Sequence, residues 1–204
     1  MNQSVSSLEP ENITLALLCG GKSTRMNGQD KGLLLLHDQA IYMQTLQRLK
    51  NQVGHVIISA NRNLSEYDKS GFSVIRDTLP DHPGPLAGLL AAMQQIKTEW
   101  ILAAPCDMPN LPMNLCQRFQ QAANKNMGTK ALVAHDGERQ QNLVCLLHKD
   151  LQKNLERFIE SGQRAAHRWL EQLNATTVDF SDMPEAFINV NTLDELNMLE
   201  KTYS

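Results

Sequence analysis

Short runs of apolar residues alternate with longer amphipathic segments along most of this chain, and this alternation limits the fold more than any other feature. The runs have strand length, and the segments between them place apolar residues about one helical turn apart, which is typical of βαβ units around a mainly parallel sheet. Most runs are apolar throughout, as strands covered by helices on both faces are. The sequence therefore predicts a layered α/β fold. Strands are predicted over 13–19, 55–60, 72–76, 99–105 and 129–135, and helices over 38–52, 84–97 and 112–126.

The second half of the chain is less regular. Residues 136–150 are predicted to form a loop and an additional strand. Further elements are predicted as helices over 151–162 and 163–174, short strands over 176–180 and 186–190, and a last helix over 191–203. With 204 residues and no repeat, low-complexity tract or linker, the chain is predicted to form a single domain over 13–204, preceded by a disordered polar tail over 1–12.

Charge and cysteine content narrow the class of protein. A net charge of -3 gives no general attraction to nucleic acid or to an anionic membrane, so neither partner is predicted and an anionic ligand needs a local cluster of cations. The four cysteines form no C-x-x-C pair and show no dense spacing typical of secreted disulfide frameworks, which favours a reducing, cytoplasmic location. No apolar run approaches the ~20 residues that cross a bilayer.

The stretch LCGGKSTRMNGQDKG, residues 18–32, follows the first predicted strand and combines glycines with three spaced cations. It is not a P-loop, because position 16 is alanine where that motif needs glycine, and no G-x-G-x-x-G follows a strand. The glycine pair allows close backbone approach to an anion, and the cations can reach different phosphates of one ligand. A solvated basic loop explains the same composition equally well.

Two further loops carry candidate ligands at the ends of predicted strands. Asp107, in PCDMP, directly follows an apolar strand and is well placed to hold a divalent cation against phosphate oxygens. Asp77 follows the third strand, and Gly84-Pro85 opens a helix whose N-terminus can face an anion. Each feature taken alone is also explained by a plain turn. Because ligands of open parallel sheets bind beyond the carboxyl ends of the strands, the three loops together predict a site for a magnesium-bound nucleoside triphosphate.

A family resemblance rests on these residues. The first loop resembles the signature of the nucleotidyltransferases, through Leu18, Gly20, Gly21, Ser23, Arg25, Met26, Gly28, Asp30 and Lys31. Within that superfamily the chain is most similar to the molybdenum cofactor guanylyltransferases, the MobA family, because DGER at 136–139 and FINVNT at 187–192 resemble segments of that family. The resemblance implies a Rossmann-like three-layer sandwich of the nucleotide-diphospho-sugar transferase type, with a nucleotide-binding half at about 13–110 and an acceptor-binding half at about 111–204.

What the resemblance implies for this chain is transfer of GMP from Mg²⁺-GTP to molybdenum-molybdopterin, with release of pyrophosphate. The implied GTP-binding residues are Leu18, Cys19, Gly20, Gly21, Lys31, Ser59, Asn61, Asp77 and Asp107. Asp107 is the implied Mg²⁺ ligand. Cys19 stands where alanine is usual in the family, and Ser59 stands where some members have an asparagine that touches the nucleotide.

The implied catalytic residues are cations and the metal ligand. Lys22 and Arg25 are assigned to the departing β- and γ-phosphates, Lys31 to the α-phosphate and Asp107 to the metal. The implied acceptor-binding residues are Arg139, Arg164, Asn189 and Asn191. Partner proteins in cofactor biosynthesis or molybdoenzyme maturation are compatible with this role. Two alternatives stay open: a cytidylyltransferase acting on the same or another phosphorylated acceptor, and a nucleotide-binding module that does not catalyse.

Overall fold

The structure is a computed structural model that describes residues 8–20, 30–77 and 84–190. Within those ranges the strands are β1 (Ile13–Leu18), β2 (Leu35–Leu36), β3 (Gln39–Ala40), β4 (His55–Ser59), β5 (Ser73–Ile75), β6 (Trp100–Pro105), β7 (Ala131–His135), β8 (Gln140–His148) and β9 (Thr176–Asp179). The α-helices are α1 (Ile41–Leu49), α2 (Leu64–Asp68), α3 (Pro85–Met93), α4 (Leu115–Lys125), α5 (Gln152–Glu160) and α6 (Ala166–Gln172).

One sheet organises the described part of the chain, with strand order β5-β4-β1-β6-β8-β7-β9. The strands β5, β4, β1 and β6 pair in parallel, and so do β7 and β9. Only β8 among these strands is reversed, since it pairs antiparallel with both of its neighbours, β6 and β7. The α/β fold with a mainly parallel sheet is confirmed, and β8 is the additional strand predicted within 136–150.

The sheet is covered on both faces, which explains why its central strands are apolar throughout. All six residues of β1 are buried. Ile13, Leu15 and Leu17 pack on one face with residues of α1 and α4, whereas Ala16 and Leu18 pack on the other face with residues of α3, α5 and α6. This alternation is the two-residue period of a strand. Among the described helices, none has the length and apolar content that a bilayer crossing requires.

The predicted strand over 186–190 is wrong. The chain forms a 3-10 helix at Pro184–Phe187 and then runs on without joining a sheet. The buried residues here are Phe187 and Val190, three positions apart, and the Val190 N–H donates to the Asp107 carbonyl at 2.9 Å. The predicted helix over 191–203 lies outside the described residues.

The predicted tail also needs correction where the structure describes it. Residues Pro10–Asn12 form a 3-10 helix, and the side chain of Leu8 packs against the core. The Gly54 N–H donates to the Pro10 carbonyl at 2.5 Å, and a Cβ on Gly54 would lie 2.7 Å from Glu11 Cα. This close backbone contact fixes the segment that leads into β1.

Candidate functional site

The strands β1, β4 and β6 end side by side at one edge of the sheet, and the site is built from the residues that follow them. Strand pairing extends one residue beyond each strand: the Cys19 N–H donates to the Ser59 carbonyl at 2.7 Å, and the Cys106 N–H donates to the Leu18 carbonyl at 3.1 Å. These bonds hold Cys19, Cys106 and the adjoining Asp107 at the carboxyl edge, where ligands of parallel sheets bind.

We call the larger cavity at this edge the outer pocket. It measures about 590 Å³, which suits a small-molecule ligand. It is lined by Leu18, Cys19, Gly20, Ser59, Asn61, Arg62, Asp77, Gly84, Pro85 and Gly88. The predicted residues Ser59, Asn61 and Asp77 therefore lie together with the end of β1.

Asn61 and Asp77 form a reciprocal pair in the outer pocket. The Asn61 Nδ2 donates to Asp77 Oδ2 at 2.5 Å, and the Asp77 N–H donates to Asn61 Oδ1 at 3.1 Å. The pair ties the loop after β5 to the loop after β4. One carboxylate oxygen of Asp77 is therefore held by Asn61.

The N-terminus of helix α3 lines the outer pocket. Gly84 precedes it with φ of 89°, a backbone conformation that favours glycine, and Pro85 occupies the first turn. One turn further on, Gly88 packs so closely on β4 that an added Cβ would lie 2.5 Å from Ser59 Oγ. This contact directs the buried Ser59 side chain toward the helix.

We call the smaller cavity the inner pocket, with a volume of about 180 Å³. It is lined by Leu18, Cys19, Gly20, Asp30, Lys31, Gly32, Pro85, Pro105, Cys106, Asp107, Leu143 and Asn189. Leu18, Cys19, Gly20 and Pro85 line both pockets, so the two form one cleft. The structure thus brings the predicted Lys31, Asp107 and Asn189 together although they are far apart in sequence.

The oxygen donors of the inner pocket suit Mg²⁺. The ion binds through one or two protein carboxylates together with phosphate oxygens and water, and the pocket offers the carboxylate of Asp107 and the amide of Asn189. Within residues 8–20, 30–77 and 84–190, no group of three or more His, Cys, Asp and Glu side chains could hold a metal ion. Phosphate oxygens and water would complete the coordination of an ion held at Asp107.

The Cys106 thiol of the inner pocket does not supply a nucleophile. Cys19 and Cys106 are buried, and hydrogen bonding to Cys19 together with burial raises the pKa of the Cys106 thiol well above its usual range. A protonated thiol is a weak nucleophile. The charged groups that line the inner pocket are Asp30, Lys31 and Asp107.

The turn between β7 and β8 presents Arg139 at the same sheet edge. Asp136 organises it by accepting hydrogen bonds from the Glu138 and Arg139 amides, both at 2.8 Å, and from Gln141 Nε2 at 2.5 Å. Burial alone would raise the pKa of the Asp136 carboxyl, but these hydrogen bonds outweigh burial and lower the pKa below its ordinary value. Arg139 itself is exposed.

The remaining predicted site residues are placed differently. Arg164 lies between α5 and α6, where its Nη1 donates to the Ile159 and Gln163 carbonyls at 2.6 and 2.7 Å, and it is not among the residues that line the cleft. Gly21, Lys22, Arg25 and Asn191 lie outside the described residues. The roles of these five residues stay predictions.

Two residues that line the cleft have no predicted role in it. Gly88 lines the outer pocket through α3, and Asp30 lines the inner pocket beside Lys31. Pro85, predicted at the start of a helix that can face an anion, lines both pockets. Asp30 also accepts hydrogen bonds from Asn63 and Tyr67, more than thirty residues away. The sequence contains a signal for Asp30, which belongs to the motif at 18–32, and none for Gly88.

Comparison with known proteins gives consistent results. A family profile described as "MobA-like NTP transferase domain" matches residues 15–177. The molybdenum cofactor guanylyltransferase of Histophilus somni (strain 2336) is 40% identical over 192 residues, which cover 94% of this chain and 98% of that protein. The protein of the same name from Shewanella putrefaciens (strain CN-32) is 41% identical over 186 residues, covering 91% and 95% of the two chains.

A solved structure supports the fold independently. The molybdopterin-guanine dinucleotide biosynthesis protein A from Archaeoglobus fulgidus superposes with a TM-score of 0.74, covering 94% of this chain and 98% of that one. Its sequence identity is 21%, so the likeness establishes the fold alone. The Rossmann-like nucleotidyltransferase architecture expected from the sequence is confirmed.

Proposed function

We propose that this chain, which belongs to the MobA-like NTP transferase family, transfers GMP from Mg²⁺-GTP to molybdenum-molybdopterin, releasing pyrophosphate and forming the guanine dinucleotide cofactor. The observation that carries this proposal is the inner pocket, where Lys31 and Asp107 face one cavity beside the backbone of Leu18–Gly20. A cation and a metal-binding carboxylate at one point are what phosphoryl transfer requires.

In this reaction a phosphate oxygen of the acceptor attacks the α-phosphorus of GTP, and the bond between the α-phosphorus and the oxygen that bridges it to the β-phosphorus breaks, so that this oxygen leaves with pyrophosphate. The acceptor phosphate is largely ionised at neutral pH, because its second pKa is about 6, so no general base is needed. Positioning and charge neutralisation then account for catalysis.

Each charged residue has a separate task in this proposal. Lys31 stabilises the charge that develops on the α-phosphate, and Lys22 and Arg25 hold the departing phosphates. Asp107 is the residue that would hold Mg²⁺, which when bound supplies further neutralisation of phosphate charge. On the acceptor side, Asn189 borders the inner pocket, and Arg139 offers a cation at the same sheet edge.

The base is recognised in the outer pocket. Guanine carries two adjacent donors, N1–H and the exocyclic amine, whereas cytosine presents acceptors at the corresponding ring positions. The carboxylate of Asp77 is an acceptor-only group, and its pairing with Asn61 fixes its orientation. This chemistry favours guanine, in agreement with the names of the curated relatives.

The test is pyrophosphate release by the purified chain with molybdenum-molybdopterin and, in turn, Mg²⁺-GTP and Mg²⁺-CTP. Turnover with GTP and little with CTP is expected, and Asp107→Ala should abolish turnover. Asp150→Ala is the matched control, because it removes an exposed carboxylate that follows β8, at the opposite edge of the sheet from the cleft. A preference for CTP would reassign the donor, and unchanged turnover in Asp107→Ala would refute the mechanism.

A further inference from the structure

The carboxylate of Asp30 joins the turn that carries Lys31 to the segment after β4. Its Oδ1 accepts a hydrogen bond from Tyr67 Oη at 2.8 Å and a longer one from the Gly32 N–H at 3.3 Å. Its Oδ2 accepts from Asn63 Nδ2 at 3.1 Å. The Gly32 bond caps the 3-10 helix Lys31–Leu33, so the side chain that starts this helix is itself held from α2.

Tyr67 is fully buried although it lies on the short helix α2, where it is the one buried residue. Its ring packs edge-on against Tyr42, with centroids 4.8 Å apart and planes at 69°. Burial, followed by the nearby Cys106, Cys19 and Asp30, raises the pKa of the Tyr67 hydroxyl far above its ordinary value. The proton therefore stays on the phenol, and the hydroxyl donates to the Asp30 carboxylate.

The turn that carries Lys31 packs against the Tyr67 hydroxyl through Gly32. A Cβ on Gly32 would lie 2.6 Å from Tyr67 Oη and 3.0 Å from Cys106 Sγ, so only glycine allows the turn to approach this closely. Lys31 lies between Asp30, which Tyr67 holds, and Gly32, which rests on Tyr67. Its backbone is thus fixed on both sides.

We propose that Tyr67 is a positioning residue for guanylyl transfer, and that its buried hydroxyl, acting through Asp30, sets the place of Lys31 in the inner pocket. The inference rests on the proposed function, because it concerns the step in which Lys31 meets the α-phosphate. Tyr67 does not line either pocket, so it acts on the reaction only through the turn.

The expected effect falls on turnover rather than on substrate affinity. Without the hydroxyl, Asp30 Oδ1 keeps only the longer bond from Gly32, and the turn loses its short anchor. A displacement of about 1 Å in a catalytic group can lower the rate by about a hundredfold. Since Lys31 is assigned to charge that develops in the transition state, kcat should fall by about ten- to a hundredfold while the KM for GTP changes little.

The experiment compares Tyr67→Phe with Tyr42→Phe in the pyrophosphate-release assay with Mg²⁺-GTP and molybdenum-molybdopterin. Both variants remove one buried hydroxyl from the same ring pair, but the Tyr42 hydroxyl donates to the Glu66 carbonyl at 3.3 Å and not to Asp30. Tyr67→Phe should lose the stated kcat, and Tyr42→Phe should stay within about twofold of the parent. Equal losses in both would overturn the inference, because they would indicate general loosening of the ring pair.

A double-substitution cycle tests the route through Lys31. In a Lys31→Gln background the further change Tyr67→Phe should alter kcat by less than about twofold, because the group that it positions is already gone. A full additional loss would overturn the inference.

A second variant tests the same inference if Tyr67→Phe does not fold. Asn63→Gly removes the other side-chain donor to Asp30 at an exposed position with φ of 49°, where glycine fits, and no cap hydrogen bond is lost. It should lower kcat by a few-fold, again with little change in KM, and an unchanged kcat would count against the inference. A parent chain without activity would refute the proposed function, whereas an active parent with an equally active Tyr67→Phe would refute this inference alone.

Discussion

Replacing Gly32 by alanine should displace the Lys31 turn by a distance that the structure defines. The new Cβ would lie 2.6 Å from Tyr67 Oη, and ordinary contact begins near 3.4 Å. The Tyr67 ring is fully buried and cannot retreat without disturbing Tyr42. The turn therefore has to move outward by about 0.8 Å, taking Lys31 with it.

Two effects follow from this displacement. Over-packing of this kind costs about 1 to 3 kcal/mol of unfolding free energy. For a domain of about this size that lowers the melting temperature by roughly 2 to 12 °C. A shift of nearly 1 Å in Lys31 should also lower kcat by about ten- to a hundredfold. Thermal unfolding and pyrophosphate release measure the two effects separately.

Gly71→Ala is the control for this prediction. Gly71 has φ of 77° and no atoms within 4 Å of an added Cβ, so alanine there causes backbone strain without a clash. It should lower the melting temperature while leaving kcat within about twofold. If Gly32→Ala retains full turnover, the close contact between Gly32 and the Tyr67 hydroxyl does not determine the position of Lys31.

Two further predictions concern carboxylates of the cleft and its rim. Asp77→Asn should lower kcat/KM for GTP by about ten- to a hundredfold, because a charged acceptor for guanine is lost. The control is Asp68→Asn, which changes an exposed carboxylate on α2. If Asp77→Asn keeps the parent's preference for GTP over CTP and ATP, Asp77 does not recognise the base. Asp136→Asn should destabilise the chain by about 1 to 3 kcal/mol at neutral pH. Since the folded-state pKa of Asp136 is lowered, its charge stabilises the fold above the ordinary carboxyl pKa, and that contribution is lost as the pH falls through the lowered value. The difference in the free energy of urea unfolding between parent and variant should therefore be smaller at pH 3 than at pH 7. An equal difference at both pH values would show that the charge of Asp136 does not stabilise the fold.

The sequence predicted the elements whose signal is local. β1 is predicted over 13–19 and spans Ile13–Leu18. The helix predicted over 151–162 spans Gln152–Glu160, and Gly162 follows its end with φ of 85°. The predicted family and fold class are also correct, because the motif at 18–32 and the alternation of strand-length runs with amphipathic segments can both be read from neighbouring residues. These features depend on periodicity and on residues that are neighbours in the chain.

What the sequence did not reveal depends on distant contacts. The mostly apolar run 186–190 has the length of a strand, but its Val190 N–H donates to the carbonyl of Asp107 in the loop after β6 rather than to a strand, and no local pattern records that partner. The Tyr67–Asp30 hydrogen bond spans 37 positions, so a tyrosine on a short helix gave no sign of acting near Lys31. Arg164 is predicted to bind the acceptor, whereas the carbonyls to which its side chain donates depend on how the turn after α5 folds.

The single reversed strand acts as a spacer. Because β8 runs against both β6 and β7, the two reversals cancel, and the loops after β6 and β7 emerge on the same side of the molecule. Adjacent strands lie about 4.8 Å apart, so those loops, one bearing Asp107 and the other Arg139, start roughly 10 Å from each other. In the proposed reaction this separation is the space available to the acceptor between Asp107 and Arg139, and a sheet without β8 would narrow it by about 5 Å.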